Sequence, residues 1–170
     1  MAERTNVNRR DRDSGPSDVE ERVVNIKRCA KVVKGGRNFS FSALVVVGNR
    51  AGKVGIGLGK ANEVQDAIRK GGEMARKTMH AVPLTGQTIA HESHAKYRGA
   101  KIMMRPAAPG TGLIAGGGMR AVLDLAGVRD VLAKSLGSSN PTNVVKATMI
   151  ALEGMSSREQ VMQRRGIDAL

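Results

Sequence analysis

The sequence predicts an α+β protein: a three-stranded antiparallel sheet closed by one helix, then a small α/β unit in which strands and helices alternate. Three observations carry this expectation. Apolar residues recur at every second position in three successive runs between residues 22 and 59, with glycine-rich turn signals between the runs. At Asn62 the repeat changes to helical spacing. Beyond Val82-Pro83 the two patterns alternate.

In the first run, Val24, Ile26, Ala30 and Val32 alternate with Lys27, Cys29 and Lys31, as in a half-buried strand. Lys34-Gly35-Gly36-Arg37 follows as a hairpin turn with two residues free to take positive φ. The second run sets Phe39, Phe41, Ala43, Val45 and Val47 on one face, so both phenylalanines are expected in the core. Residues Gly48 to Gly52 signal another turn. In the third run Val54, Ile56 and Leu58 alternate with Gly55, Gly57 and Gly59, leaving a bare face where something bulky can approach the backbone. Asn62 is the expected N-cap of a helix whose apolar stripe is Val64, Ala67, Ile68, Gly71, Ala75 and Met79, with Gln65 returning a capping-box bond. Its other side gathers Arg69, Lys70, Arg76 and Lys77, either a solvated face or a phosphate-contacting one.

Val82-Pro83 reads as a short linker. After it come strand candidates at 88–94 and 98–105, a Pro-Gly loop at 106–112, a helix ending at Gly127 and a strand at 128–136. Asn140-Pro141 offers a cap and a first-turn proline for a helix running to about Glu153. The expected organisation is a leader over 1–18, an RNA-binding unit over 19–82, an α/β unit over 83–155 and a tail over 156–170.

With 170 residues the chain has room for one or two small domains, which excludes a large multidomain enzyme. Its 28 Lys and Arg against 15 Asp and Glu give a formal charge of +13, so a membrane surface or nucleic acid is the expected partner, and charge alone does not choose between them. The aromatic residues are only Phe39, Phe41 and Tyr97, too few for base stacking to be the main device. No charge-free stretch approaches the ~20 apolar residues a bilayer crossing needs, and no secretory pattern opens the chain. Together with the single Cys29 this points to a soluble protein of a reducing cytosol. The charge is uneven. Residues 1–18 balance four basic against four acidic side chains with little apolar content, as in a disordered leader. Residues 19–82 hold thirteen basic against five acidic ones, a net of +8, whereas 83–155 reach only +4.

Catalytic and metal motifs fail on spacing. A phosphate-binding loop before Gly59-Lys60 needs Gly at 54 and Ser or Thr at 61, where Val54 and Ala61 stand. The glycines between Gly110 and Gly118 lead into a helix and either hold an anion on backbone amides or permit tight helix packing. His91-Glu92-Ser93-His94 lacks the second histidine of a zinc helix, because Ala95 occupies that place, and a strand would point the two histidines to opposite faces. Cys29 sits among cations but has no base partner. Neither a catalytic group nor a cofactor nor a small-molecule substrate is expected. What the residues do suit is RNA, recognised by shape and backbone through two glycine-basic turns and the helix face. The candidate contacts are Lys27, Arg28, Lys31, Lys34, Gly35, Gly36, Arg37, Arg50, Lys53, Lys60, Arg69 and Lys70.

Several segments together resemble the bacterial small-subunit ribosomal protein S5 family: Val33 to Arg37, Phe39-Ser40-Phe41, Val54 to Ala61, Gly110 to Gly112, Gly116 to Arg120, Leu132 to Lys134, and Ser138 to Val145. They fall in the expected order between residues 19 and 155. The resemblance implies a first domain related to the double-stranded-RNA-binding fold without its first helix. The second domain would be of the S5 domain 2-like type, a shape shared with several ATP-using enzymes. It implies a structural, non-enzymatic constituent of the cytoplasmic small subunit that binds 16S rRNA, helps hold head and body geometry and influences translational accuracy. It implies S4 and S8 as neighbouring proteins and no membrane partner, with Gly112 and Arg120 near the S4-facing side, and associates the 31–37 hairpin with spectinomycin sensitivity. A free RNA-binding module and a small-molecule kinase using the second domain are the other two readings.

Overall fold

The computed structural model describes residues 19–166; the expected leader and the last four residues of the chain lie outside the described residues. Four strands, β1 (Glu20–Val33), β2 (Gly36–Gly48), β3 (Lys53–Ala61) and β4 (Met79–Ala81), form one antiparallel sheet in chain order, with helix α1 (Val64–Lys77) between the last two. The expected meander is therefore a strand larger. Met79, expected on the helix stripe, opens β4, because the helix stops at Thr78, whose hydroxyl donates to the carbonyl of Ile56 at 3.0 Å. The N-cap is Glu63 rather than Asn62, without a side-chain cap bond, so the expected capping box does not form. The reason is length. Strand β3 runs to Ala61, and two residues are spent crossing from sheet to helix.

Strand β2 is buried on both faces from Ala43 to Gly48. On one side Ala43, Val45 and Val47 pack with Ala67 and Ala75 of α1. The bare glycine face of β3 is filled by that same helix: a methyl group added at Gly55, Gly57 or Gly59 would collide with the backbone carbonyl of Ala75, Gly71 or Ala67. On the other side Leu44 and Val46, with Val54 of β3, belong to a larger core supplied mainly by the second half of the chain.

That half contains a short hairpin, β5 (Leu84–Thr85) and β6 (Thr88–Ile89), and a second sheet of β7 (Ser93–Tyr97), β8 (Ala100–Pro106), β9 (Leu113–Ile114) and β10 (Val131–Gly137). The sheet order is β7-β8-β10-β9, with only the β9–β10 pair parallel. Helices α2 (Gly117–Ala126) and α3 (Pro141–Glu153) supply Met119, Val122, Leu125, Val145 and Leu152 to the large core. The strand expected over 88–94 is broken into β6 and β7, and the one expected from Val128 begins only at Val131. The Asn140 cap is present, its side chain accepting the N–H of Thr142 at 3.3 Å with Pro141 in the first turn. Helix α4 (Arg158–Arg165), where the sequence pattern showed only a tail, opens with a Ser157/Gln160 capping box. None of the helices is long and apolar enough to cross a membrane.

Val82, expected in a loose linker, is buried in the large core and donates its N–H to the carbonyl of Gly52 at 2.7 Å. Arg22 on β1 meets Asp124 on α2 at 2.8 Å. The two halves are thus packed across β2 as one body. A paired substitution checks the glycine contact: Gly57→Ala is expected to destabilise by about 3 kcal/mol through overpacking. Gly35→Ala, with open space around it and no positive φ, should stay within about 0.5 kcal/mol in the same urea titration.

Candidate nucleic-acid interface

Strands β1 and β2 outrun the rest of their sheet. The last β3 pairing is Ala61 with Phe41, but β1 and β2 continue through Cys29–Ser40, Ala30–Phe39, Lys31–Asn38, Val32–Arg37 and Val33–Gly36. From Lys27, level with the last β3 pairings, to the tip this ribbon spans about 23 Å at the usual strand rise, and beyond Arg28 it is two-stranded. Every β1 residue in it is exposed, so the strand is not half-buried as its alternation suggested. A bulge at Val24 explains the difference. It shifts the register between Val23 and Asn25, turning Val24 toward the large core near Gly118 and sending Ile26 to the opposite face.

Alternation sorts the ribbon's side chains. One face carries Lys27, Cys29 and Lys31 from β1 with Ser42, Ser40 and Asn38 opposite them, and Lys60 of β3 extends the row from Ser42. The other face carries Arg28, Ala30 and Val32 with Phe41, Phe39 and Arg37 opposite. Phe41 packs beside the small core beneath α1, as expected. Phe39 does not: it is 47% exposed, because no third strand reaches its level, and the Arg28 guanidinium lies 4.6 Å from its ring centroid. The turn is Lys34-Gly35, and positive φ falls at Gly36 (134°), the first residue of β2, rather than within the two turn residues. No acidic residue occurs between Glu21 and Glu63, while nine cations do, so the ribbon has no internal neutralisation.

The remaining candidates lie elsewhere. Arg50 and Lys53 are at the other end of the sheet, about 40 Å from the tip by strand rise. Their turn, expected to be exposed, is clamped onto the end of α2: the N–H groups of Arg50 and Gly52 donate to Leu125 and Ala126 carbonyls at 2.9 and 3.0 Å. Arg50, at φ 52°, also donates to Glu20 at 2.7 Å. Arg69 and Lys70 are exposed on α1, on the arginine side of the sheet; Arg69 pairs with Asp66 at 3.2 Å, and Arg76 with Glu21 at 3.2 Å. Among the described residues Lys53, Lys60 and Lys70 have no acidic partner. Asn38, Ser40 and Ser42 are not among the contacts expected from the sequence, although their alternation with Phe39 and Phe41 places them on one face.

Gly112 and Arg120 meet around β9. Gly112, at φ 81°, donates its N–H to the buried Asp130 carboxyl at 2.8 Å, and Arg120 donates to the carbonyl of Leu113 at 3.3 Å. Tight helix packing does not explain the glycines that open α2, since Gly116 and Gly117 face open space and only Gly118 lies against side chains, those of Val145, Val144 and Val24. The hollow beside them, lined by Val24, Gly116, Gly117, Gly118, Ser135 and Ser139 among others, contains no titratable side chain. His91 and His94 do not converge on an ion: His94 shares the Glu92 carboxylate with Arg105 at 3.0 Å each, while His91 accepts the N–H of Ser156 at 3.3 Å. Arg105, then His94, hold the Glu92 carboxyl below its ordinary value.

The family models described as ribosomal protein S5, N-terminal domain, and ribosomal protein S5, C-terminal domain, match residues 19–83 and 95–165. A small ribosomal subunit protein uS5 of Protochlamydia amoebophila is 53% identical over 98% of this chain and 100% of its own length. Relatives of the same name from Chloroflexus aurantiacus and Rubrobacter xylanophilus are 57% and 53% identical, over 87% and 92% of this chain and 83% and 78% of theirs. The chain belongs to the ribosomal protein S5 family, whose members are structural components of the ribosome.

Asp130 offers a test of the loop that presents Gly112. Removing its carboxyl in Asp130→Ala leaves the Gly112 N–H unpaired and is expected to destabilise by about 2 kcal/mol in urea unfolding.

Proposed function

We propose that the protein is a structural constituent of the small subunit that binds 16S rRNA through the β1–β2 ribbon, helps hold head and body geometry and thereby influences translational accuracy. The observation that carries this reading is the ribbon itself: an acid-free projection exposed on both faces, with Lys27, Lys31 and Lys60 in one row beside the hydrogen-bonding groups of Asn38, Ser40 and Ser42. Phosphates and 2′-hydroxyls are what such a row recognises. Lys34 and Arg37 extend the charge to the tip, where Gly35 and Gly36 leave the backbone open to close approach. The first half is read as a relative of the double-stranded-RNA-binding fold, and residues 19–82 and 83–155 as the two domains. The second half serves as a docking surface without catalysis, Gly112 and Arg120 facing a neighbour of the S4 type and S8 lying nearby. The protein works in the cytoplasm as part of the ribosome.

Affinity for 16S rRNA is expected to fall on the order of 10³-fold between 50 and 200 mM salt if about six phosphates are neutralised. Changing Lys27, Lys31 and Lys60 to Ala should reduce the salt slope by about three. Lys53→Ala and Lys70→Ala should weaken binding more than Arg50→Ala and Arg69→Ala, because the two arginines are already partnered by Glu20 and Asp66. Filter binding across a salt series reads both effects, and an unchanged slope in the triple variant overturns the ribbon as the RNA contact. For the neighbour contact, Arg120→Glu is expected to alter miscoding in a reporter strain, with an unaltered readout counting against it.

A further inference from the structure

The ribbon's two faces differ in chemistry as well as direction. The row of Lys27, Lys31 and Lys60 alternates with hydroxyl and amide groups, whereas both ribbon arginines, Arg28 and Arg37, lie on the other face with Phe39, Ala30 and Val32. That arginine face leaves a set of apolar side chains in water: Phe39 at 47%, Ile26 at 44% and Val32 at 72% exposure. Lysine is a compact, strongly hydrated charge suited to phosphate; arginine is planar, weakly hydrated and stacks. Arg28 already lies over one face of the Phe39 ring, so guanidinium and ring form a short stack that a further planar group can extend.

We propose that the Arg28–Phe39 pair, flanked by Val32 and Arg37, is a stacking subsite for an unpaired base of structured rRNA, while the lysine face follows the backbone. This rests on the reading of the ribbon as the RNA contact and goes beyond it by assigning each face a different part of the nucleotide. The occupant follows from charge and shape. Nine cations and no acid between Arg22 and Asn62 call for a polyanion, and an aromatic ring with a stacked guanidinium binds the π-face of a base that has left its helix. One such platform also fits a chain with three aromatic residues, where stacking supplements backbone contacts rather than replacing them.

The test uses the full chain and transcribed 16S rRNA. Phe39→Ala is expected to weaken binding roughly 5- to 100-fold, the range for one stacked base, with no change in salt slope. Phe39→Leu, which keeps bulk but loses the π-face, should weaken it similarly. Phe39→Trp should retain affinity, and its tryptophan, unique in the chain, should be quenched on RNA addition. In reconstituted subunits, Phe39→Ala should re-expose a base to dimethyl sulfate without altering hydroxyl-radical protection of the backbone. Because Phe39 is outside both cores, its urea midpoint serves as the folding control and is expected to stay near wild type. If Phe39→Leu binds like wild type, the contact is apolar packing and the stacking assignment is wrong. If Phe39→Ala preserves rRNA affinity and base protection but lowers incorporation into subunits, the face is a protein contact and the inference is overturned. If the lysine triple variant loses salt slope while Phe39→Ala leaves affinity unchanged, the ribbon reading stands and this inference falls; if neither variant changes binding, both fall.

Discussion

The burial of β2 on both faces is the constraint on which the rest of the molecule depends. From Ala43 to Gly48 this strand has no solvent face: its odd-numbered side chains meet α1 and its even-numbered ones meet the second half of the chain. Val45, Val46 and Val47 are fully buried, each contributing on the order of 1.5–3 kcal/mol relative to exposure. A strand gripped this way cannot slip by one residue without driving valines from one core into the other. The same strand continues as one edge of the ribbon, so the register enforced by the two cores also decides which ribbon side chains face which way. The β1 bulge at Val24 completes the assignment by bringing Ile26, Arg28 and Val32 onto the face of Phe39.

The ribbon is bare because its neighbours stop together. Strand β3 ends at Ala61 and α1 begins at Val64, having approached the sheet closely enough at Gly55, Gly57 and Gly59 that no side chain fits between. Beyond that level only two strands remain. The charge distribution follows the same division: Glu20, Glu21 and Asp66 pair with Arg50, Arg76 and Arg69 in the body, while the ribbon cations have no acidic residue among them in the sequence. A high local positive potential on a narrow projection is costly to hold without a polyanion nearby, and it steers one in.

The second half braces this arrangement. Its α2 clamps the β2–β3 turn through Leu125 and Ala126, and Asp124 holds Arg22. Gly116, Gly117 and Gly118 at the start of α2 border a hollow lined also by Ser135, Ser139 and Val24.

The sequence by itself determined much of the plan: the first three strands with their turns, the helix between Val64 and Lys77, the capped helix from Pro141 and the net charge that names a polyanion as partner. These are local properties, set by period, turn chemistry and side-chain type, and all are legible within a dozen residues. Tertiary structure alone decided what lies against what. The glycine face of β3 reads as an open surface in one dimension, and only the helix packed on it shows that it is occupied. The turn at Arg50 looks as free as the one at Gly35 until α2 is seen to hold it. Phe39 and Phe41 stand two residues apart, each between small polar neighbours, but only Phe41 lies beside a third strand. Burial is a property of what reaches a residue from elsewhere in the chain, and alternation records only which way a side chain points.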